Sequence, residues 1–157
     1  MTAVPDYIAR MPRKRLAAAV LIRDAANRVL LLEPTYKLNW ELPGGIVEAD
    51  ESPWAAASRE VVEELGLELP LGRLLVVDHV HAYDDRPDGI NFIFDGGHLA
   101  STPTTFPDGE IRSAHFMTVA EADRHLRPQM AGRITAALEA LREGTTLLCN
   151  HGVRVTV

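Results

Sequence analysis

The chain has 157 residues, 46% of them hydrophobic and 24% charged, with a formal net charge of −6. That length and apolar content suit one domain with its own core and exclude global disorder. The negative balance excludes bulk attraction to nucleic acid or to an anionic membrane surface, so phosphate binding would need a metal ion or a local cluster of Arg and Lys.

Residues 1–14 are polar, contain Pro5 and Pro12, and read as a flexible arm ahead of a single domain at 15–157. The stretch RMPRKRLAAAVLI has the basic-then-apolar order of a secretory signal, but Arg23 and Asp24 end its apolar run at once, as expected of a buried first strand. Arg13, Lys14 and Arg15 either belong to a solvated arm or steer an anionic substrate. No apolar run approaches the roughly 20 residues that span a bilayer. Residues 16–23 and 28–33 are apolar runs joined by DAAN, the pattern of a hairpin. PTYKLNWELPGG reads as a loop closing in a Pro-Gly-Gly turn.

A helix over Pro53–Leu65 has both ends marked, with Ser52 as N-cap, Pro53 at the first position and Gly66 closing it in a left-handed conformation. Strands are expected near 74–83 and 90–99, the second interrupted by Gly96 and Gly97. TTFPDGE is a loop, 113–119 a further strand, and 119–126 a short helix. Met130, Ile134, Leu138 and Leu141 form the apolar stripe of a last helix, and TLLCNHGVRVTV is a short hairpin or an extended tail. Cys149 is the only cysteine, so an intrachain disulfide is excluded and a reducing, cytoplasmic compartment is expected. Strands, helix, strands, helix implies a mixed sheet with helices packed on it.

The first helix carries the chemistry. At about 100° per residue, Trp54, Ala57, Val61 and Leu65 share an arc of roughly 80°, which is expected to face the core. Glu60, Glu63 and Glu64 share the adjacent arc, and no base follows four residues on to compensate them. Glu60 and Glu64 repel as an i,i+4 pair by about 0.2–0.5 kcal/mol. The helix C-terminus adds to the cost for Glu63 and Glu64. Such a face is either a solvated acidic surface or a site for a hard divalent cation.

The flanking residues bear on that choice. Counting from Gly45, five residues lead to Glu51 and seven more to Arg59; then come Glu60, Val61, Glu63, Glu64, Gly66 and Leu67. Residues 45–67 resemble the Nudix box at every defined position, on the loop–helix–loop that such a motif needs. Outside the box the resemblance is topological.

The resemblance implies an α/β/α sandwich of the Nudix type with a mixed sheet. It implies hydrolysis of a nucleoside diphosphate linked to another moiety, by water, with Mg²⁺ or Mn²⁺. It casts Glu60, Glu63 and Glu64 as metal ligands with the Gly44 carbonyl as a further one, and Arg59 with Glu51 as the contact that orients loop and helix. The base that takes the water's proton is then a box glutamate such as Glu63 or Glu64, or an acidic residue on a later loop. FPDGEIRSAHF is that loop here, with Glu110 the first candidate and Asp108 the second; PDGE is equally compatible with a plain turn. Many Nudix enzymes are homodimers, so a homodimer is expected through the arm or the tail.

For the substrate, His79, His81 and Tyr83 alternate on one face of a strand, which lines a cleft or is merely wet. Trp40, Phe92, Tyr36 and Phe94 either stack on a base or fill the core. The resemblance implies a small nucleotide-type partner, with nucleic acid entering only as a capped end. The histidines lack ligand spacing and there is no CxxC pattern, so zinc is not expected. The rival readings are a non-catalytic Nudix-fold module that senses a nucleotide, a Nudix-fold isomerase of prenyl diphosphates, and an interaction domain with an acidic surface helix.

Overall fold

Alternation along the first two strands decides the layers. In the computed structural model, which describes residues 2–157, β1 (Arg15–Arg23) turns Ala18, Val20 and Ile22 to one side and Leu21 to the other. β2 (Val29–Pro34) repeats the pattern, with Leu30 and Leu32 on the first side and Val29 and Leu31 on the second. The first side is covered by α2 (Pro53–Leu65) through Ala56, Ala57, Val61 and Leu65. The second is covered by α3 (Pro128–Glu143) through Ile134, Ala137 and Ala140. Strands buried on both faces read as continuous apolar runs, as LLL at 30–32 does. Each of those leucines is at most 1% exposed, worth roughly 1.5–3 kcal/mol apiece. The result is the expected α/β/α sandwich.

The remaining strands are β3 (Gly44–Ile46), β4 (Leu74–Val80), β5 (Gly89–His98), β6 (Ile111–Met117), β7 (Leu147–Asn150) and β8 (Val153–Arg154). They form one mixed sheet in the order β6-β2-β1-β5-β4-β7-β8, with β3 paired to β1 off that path. β1 runs parallel to β5 and β4 parallel to β7; the other pairs are antiparallel. The β1–β2 hairpin is closed by Asp24, whose carboxylate accepts from the backbone N–H groups of Ala26 and Arg28. Beyond that end β2 leaves β1, and β3 takes its place opposite Ala17, Ala18 and Ala19.

Several expectations are corrected. Gly44 and Gly45 are not a turn but a strand, because they pair with β1 and a Cβ on Gly44 would lie 2.3 Å from the Ala18 carbonyl oxygen. Trp54 belongs to the apolar arc by angle yet is 62% exposed, since the first turn of α2 extends past the residues that cover it; burial starts at Ala56. Glu64 instead is buried on that flank. β5 continues through Gly96 and Gly97, absorbed by a register shift between Leu21 and Arg23. The helix expected at 119–126 is reduced to a 3₁₀ turn, Asp123–His125. The tail is a hairpin, β7–β8. In the expected arm, residues 2–14 are exposed and include the short helix α1 (Asp6–Ala9); Met1 lies outside the described residues. Among the described residues no helix is long and apolar enough to cross a membrane.

Candidate active site

α2 begins where the sequence says. The Ser52 hydroxyl accepts from the Ala55 N–H at 3.2 Å, and Gly66, at φ 66°, closes the last turn on the Val62 carbonyl. Within this frame Arg59 is the organising residue. Its Nε and Nη2 grip the Glu51 carboxylate at 2.8 and 2.9 Å, a bidentate pair. Nη2 also donates to the Ile46 carbonyl at 3.1 Å, and Nη1 reaches Glu60 at 3.0 Å and Glu63 at 3.3 Å. One cation thus ties β3, the loop at 47–52 and the helix together. Arg59 holds Glu51 down to a pKa of about 2, with help from the Glu48 N–H. In return the carboxylates bind the Arg59 proton more tightly than a free guanidinium does. The crowded glutamates are relieved by a residue one position ahead of them rather than by one four positions later.

The three glutamates differ. Glu64 is 5% exposed, and its Oε1 accepts from the Gly44 N–H at 2.8 Å. Burial pushes its pKa up to about 8 against that hydrogen bond, and the charges of Glu60, Glu41 and Asp108 push the same way. Glu60 is half-buried; burial raises its pKa and the Arg59 contact opposes the rise. It packs so closely on Gly45 that a Cβ there would lie 2.4 Å from its Oε1. Glu63 is the outermost, with a side chain 49% exposed.

Among the described residues no three His, Cys, Asp or Glu side chains already surround one point. The donor chemistry nonetheless fits a hard divalent ion, because Mg²⁺ commonly takes one or two carboxylates and fills its shell with water and substrate phosphate. Glu60 and Glu64, both on the Gly44–Gly45 backbone, are such a pair. A buried carboxylate whose charge is disfavoured gains most from an approaching cation.

The loop at 106–110 docks nearby. The Thr35 N–H donates to the Glu110 carbonyl at 2.8 Å, and the Asp108 carboxylate accepts from the Glu110 N–H at 3.0 Å. Glu110 is exposed, yet its charge adds to the rise at Glu60, while Asp108 adds to the rise at Glu64. Both loop carboxylates therefore act on the box.

Two cavities adjoin the site. The smaller, about 230 Å³, is bordered by Gly44, Gly45, Tyr36, Glu41 and Phe92. The larger, about 520 Å³, lies toward α3 and is bordered by Trp40, His81 and Tyr83. Trp40 does not offer a stacking face: it is buried between His115 and His125, with ring centroids 4.6 and 3.8 Å away. Tyr83 carries the guanidinium groups of Arg15 and Arg86 at 5.0 and 5.3 Å from its ring. Phe92 is half-buried, and Phe94 is core. His79 turns to Asp88 and Asn150 at the rim.

Three residues at or behind the site, Glu41, Asp78 and Arg133, lie outside the sequence expectations, and a fourth, Tyr36, was expected only to stack on a base or fill the core. Glu41 borders both cavities. Tyr36 has an exposed ring, but its hydroxyl is desolvated and faces Glu41, Glu110, Glu64 and Glu60, which push its pKa up to about 12. Arg133 and Asp78 form a buried ion pair behind the larger cavity. The available signals were an Arg flanking an apolar helical stripe and an Asp within the apolar run LLVVDHV.

Comparison with known proteins bears on the family and the fold. The NUDIX domain model matches residues 13–138. Diphosphoinositol polyphosphate phosphohydrolase 2 of Rattus norvegicus is 44% identical over 64 residues, covering 40% of this chain and 36% of that protein. The chain therefore covers little more than a third of that relative's length. Two solved structures share the fold. The MutT protein of Methanosarcina mazei Go1 has a TM-score of 0.66 at 24% identity over 85% of this chain and 96% of its own. An ADP-ribose pyrophosphatase of Streptococcus suis 89-1591 has a TM-score of 0.64 at 22% identity over 88% and 99%. With its box, its sandwich and a family match over most of its length, the chain belongs to the Nudix hydrolase family.

Proposed function

We propose that this protein is a pyrophosphohydrolase that uses Mg²⁺, replaceable by Mn²⁺, to let water cleave a nucleoside diphosphate linked to another moiety. The observation that carries the reading is the buried Glu64 carboxylate, held on the Gly44 N–H beside Glu60 and next to an open cavity. In this reading Glu60 and Glu64 hold the ion, with Glu63 and the Gly44 carbonyl completing its protein donors. When bound, the ion neutralises phosphate charge and makes water more acidic. Arg59 keeps β3, loop and helix in register. Glu110 takes the water's proton, with Glu63 as the box alternative. Phe92 and Tyr83 border the substrate, and Trp40 shapes the wall behind it. The relatives' names support a phosphate-rich substrate, since diphosphoinositol polyphosphates and ADP-ribose both carry a phosphoanhydride.

Hydrolysis of a panel of such compounds with Mg²⁺ or Mn²⁺, products identified, tests the reading. Turnover of at least one compound, abolished by EDTA, is expected. The rival reading is a nucleotide-sensing module without catalysis, against which the intact Glu60, Glu63 and Glu64 argue. Binding without turnover of any compound would establish it. For assembly, we propose a cytoplasmic homodimer through the edge strand β8, supported by its position at the end of the sheet and by exposed Val153 and Val155. Light scattering checks it, and a monomeric mass rules it out.

A further inference from the structure

The larger cavity has a polarity opposite to that of the chain. It is bordered by Arg15, Lys37, Arg127 and Arg133 against a single carboxylate, Glu41, in a protein of net charge −6. Lys37 is matched by Glu41 and Arg133 by Asp78. Arg15 gives its Nε to the Pro87 carbonyl at 2.7 Å, leaving its Nη2 buried without a partner. The Nδ1 of His151, which borders the same cavity, is also buried and unpartnered. Buried polar atoms without partners are costly unless something fills the space they face.

Arg133 is the most constrained of the four. It is 6% exposed, and its Nε donates at 2.7 Å to Asp78, which is fully buried. The other oxygen of Asp78 accepts from the Gly152 N–H at 3.0 Å, so both oxygens of this anchor are engaged. Among the described residues nothing accepts from the two Nη groups of Arg133, and the residue borders both cavities. A guanidinium fixed at one edge presents its remaining donors as a rigid fork, the geometry that grips a phosphate.

The lining is unsuited to a nucleobase. Trp40 is enclosed by two imidazoles, Tyr83 carries two guanidinium groups, and His81 stacks on His151 at 4.6 Å. The cavity reads charge rather than π-surface. It is also continuous with the catalytic end, because Lys37, Glu41, Asn91, Met130 and Arg133 border both spaces and the smaller one reaches Gly44 and Gly45.

We propose that the larger cavity is an anion subsite, which holds a phosphate group of the substrate remote from the anhydride being cleaved, with Arg133 and Arg15 as its donors. The proposal rests on the hydrolase reading only for where the anhydride lies. The test is calorimetric titration of the full chain in EDTA, at an ionic strength of about 0.15 M, with inorganic pyrophosphate and separately with adenosine. Without a divalent ion the glutamate end repels the probe, so binding reports the cationic cavity. Saturable pyrophosphate binding is expected, with none for adenosine. Arg15→Gln and Arg133→Lys should each weaken it by at least about tenfold. Arg15→Gln is the deciding variant, because it leaves the Asp78 pair intact. Absent pyrophosphate binding, or equal affinity in Arg15→Gln, overturns the subsite. Pyrophosphate binding without hydrolysis of any panel compound overturns the hydrolase reading and leaves the subsite standing. Hydrolysis without pyrophosphate binding does the reverse.

Discussion

The two flanks of the cleft are built in opposite ways. On the α2 flank one cation, Arg59, is surrounded by carboxylates from a short stretch of chain. On the α3 flank one buried carboxylate, Asp78, anchors one of four cations drawn from β1, the loop after β2, the N-cap of α3 and α3 itself. The difference teaches where each kind of site gets its order. The acidic flank is organised by neighbours in sequence and half-open to water, where an individual ion pair contributes about 0–1 kcal/mol. The cationic flank exists only after the sheet and α3 have docked. Removing one partner of its buried pair typically costs about 3–5 kcal/mol.

The sharpest way to break this comparison is Glu64→Gln. If the acidic flank serves to hold an ion, losing several kcal/mol of charge stabilisation in the transition state lowers turnover by about 10³-fold. Glutamine still accepts from the Gly44 N–H and matches the neutral carboxyl that burial favours below a pKa of about 8, so melting in EDTA near neutral pH should be unchanged. Near-normal turnover in the folded variant would sink the metal-site reading. Next comes Glu110→Gln, expected to lower kcat by about 10²–10⁴-fold with little change in KM. Asp108→Asn should cost much less. If the ranking is reversed, Asp108 is the base; if both are mild, Glu63→Gln is the variant to measure.

The glycines of β3 sharpen the contrast between site and scaffold. A Cβ on Gly45 meets the flexible end of Glu60, whereas one on Gly44 meets the backbone of Ala18. Gly45→Ala should therefore reduce turnover by displacing a carboxylate, with little loss of melting temperature. Gly44→Ala should lower the melting temperature first, and a scan of both variants by calorimetry and initial rate separates the two.

The smallest effect lies at the rim of the cationic flank. The Asp88 hydrogen bond, followed by that of Asn150, raises the pKa of His79; Lys14 and His79 lower that of Asp88. The His79 contribution to stability is fully present below its unfolded pKa of about 6.5 and is lost as pH rises through the higher folded value. The Asp88 contribution is present above about 3.9 and is lost as pH falls through the lower folded value. A slight fall in melting temperature between neutral and mildly alkaline pH is expected from His79, added to the fall that buried Glu64 produces up to its own pKa of about 8, and His79→Gln should reduce the total. A pH dependence unchanged in that variant would assign it elsewhere.

This contrast also explains what could be read in advance. The ends of α2 were legible because helix caps follow local rules, and the Arg59–Glu51 contact was legible only through the resemblance of residues 45–67 to the Nudix box. The alternation that makes a sandwich was legible as well. The strand at Gly44–Ile46 was not, because two glycines after a proline carry a turn signature and only the departure of β2 makes room for them on β1. Trp54 misled for a related reason, since an angular stripe does not tell how far the covering layer extends. Arg133 was overlooked because a lone cation beside an apolar stripe acquires meaning only through Asp78, more than fifty residues earlier. Trp40 stayed open between a stacking face and the core, because nothing local reveals the two histidines that enclose it.

The enclosure of Trp40 makes the molecule its own optical probe. The chain has two tryptophans, one 8% exposed between imidazoles and the other, Trp54, 62% exposed at the start of α2. A water-soluble quencher extinguishes the emission of Trp54 first and leaves that of Trp40. The surviving signal comes from a ring on the border of the larger cavity, so it registers events on the α3 flank without a label.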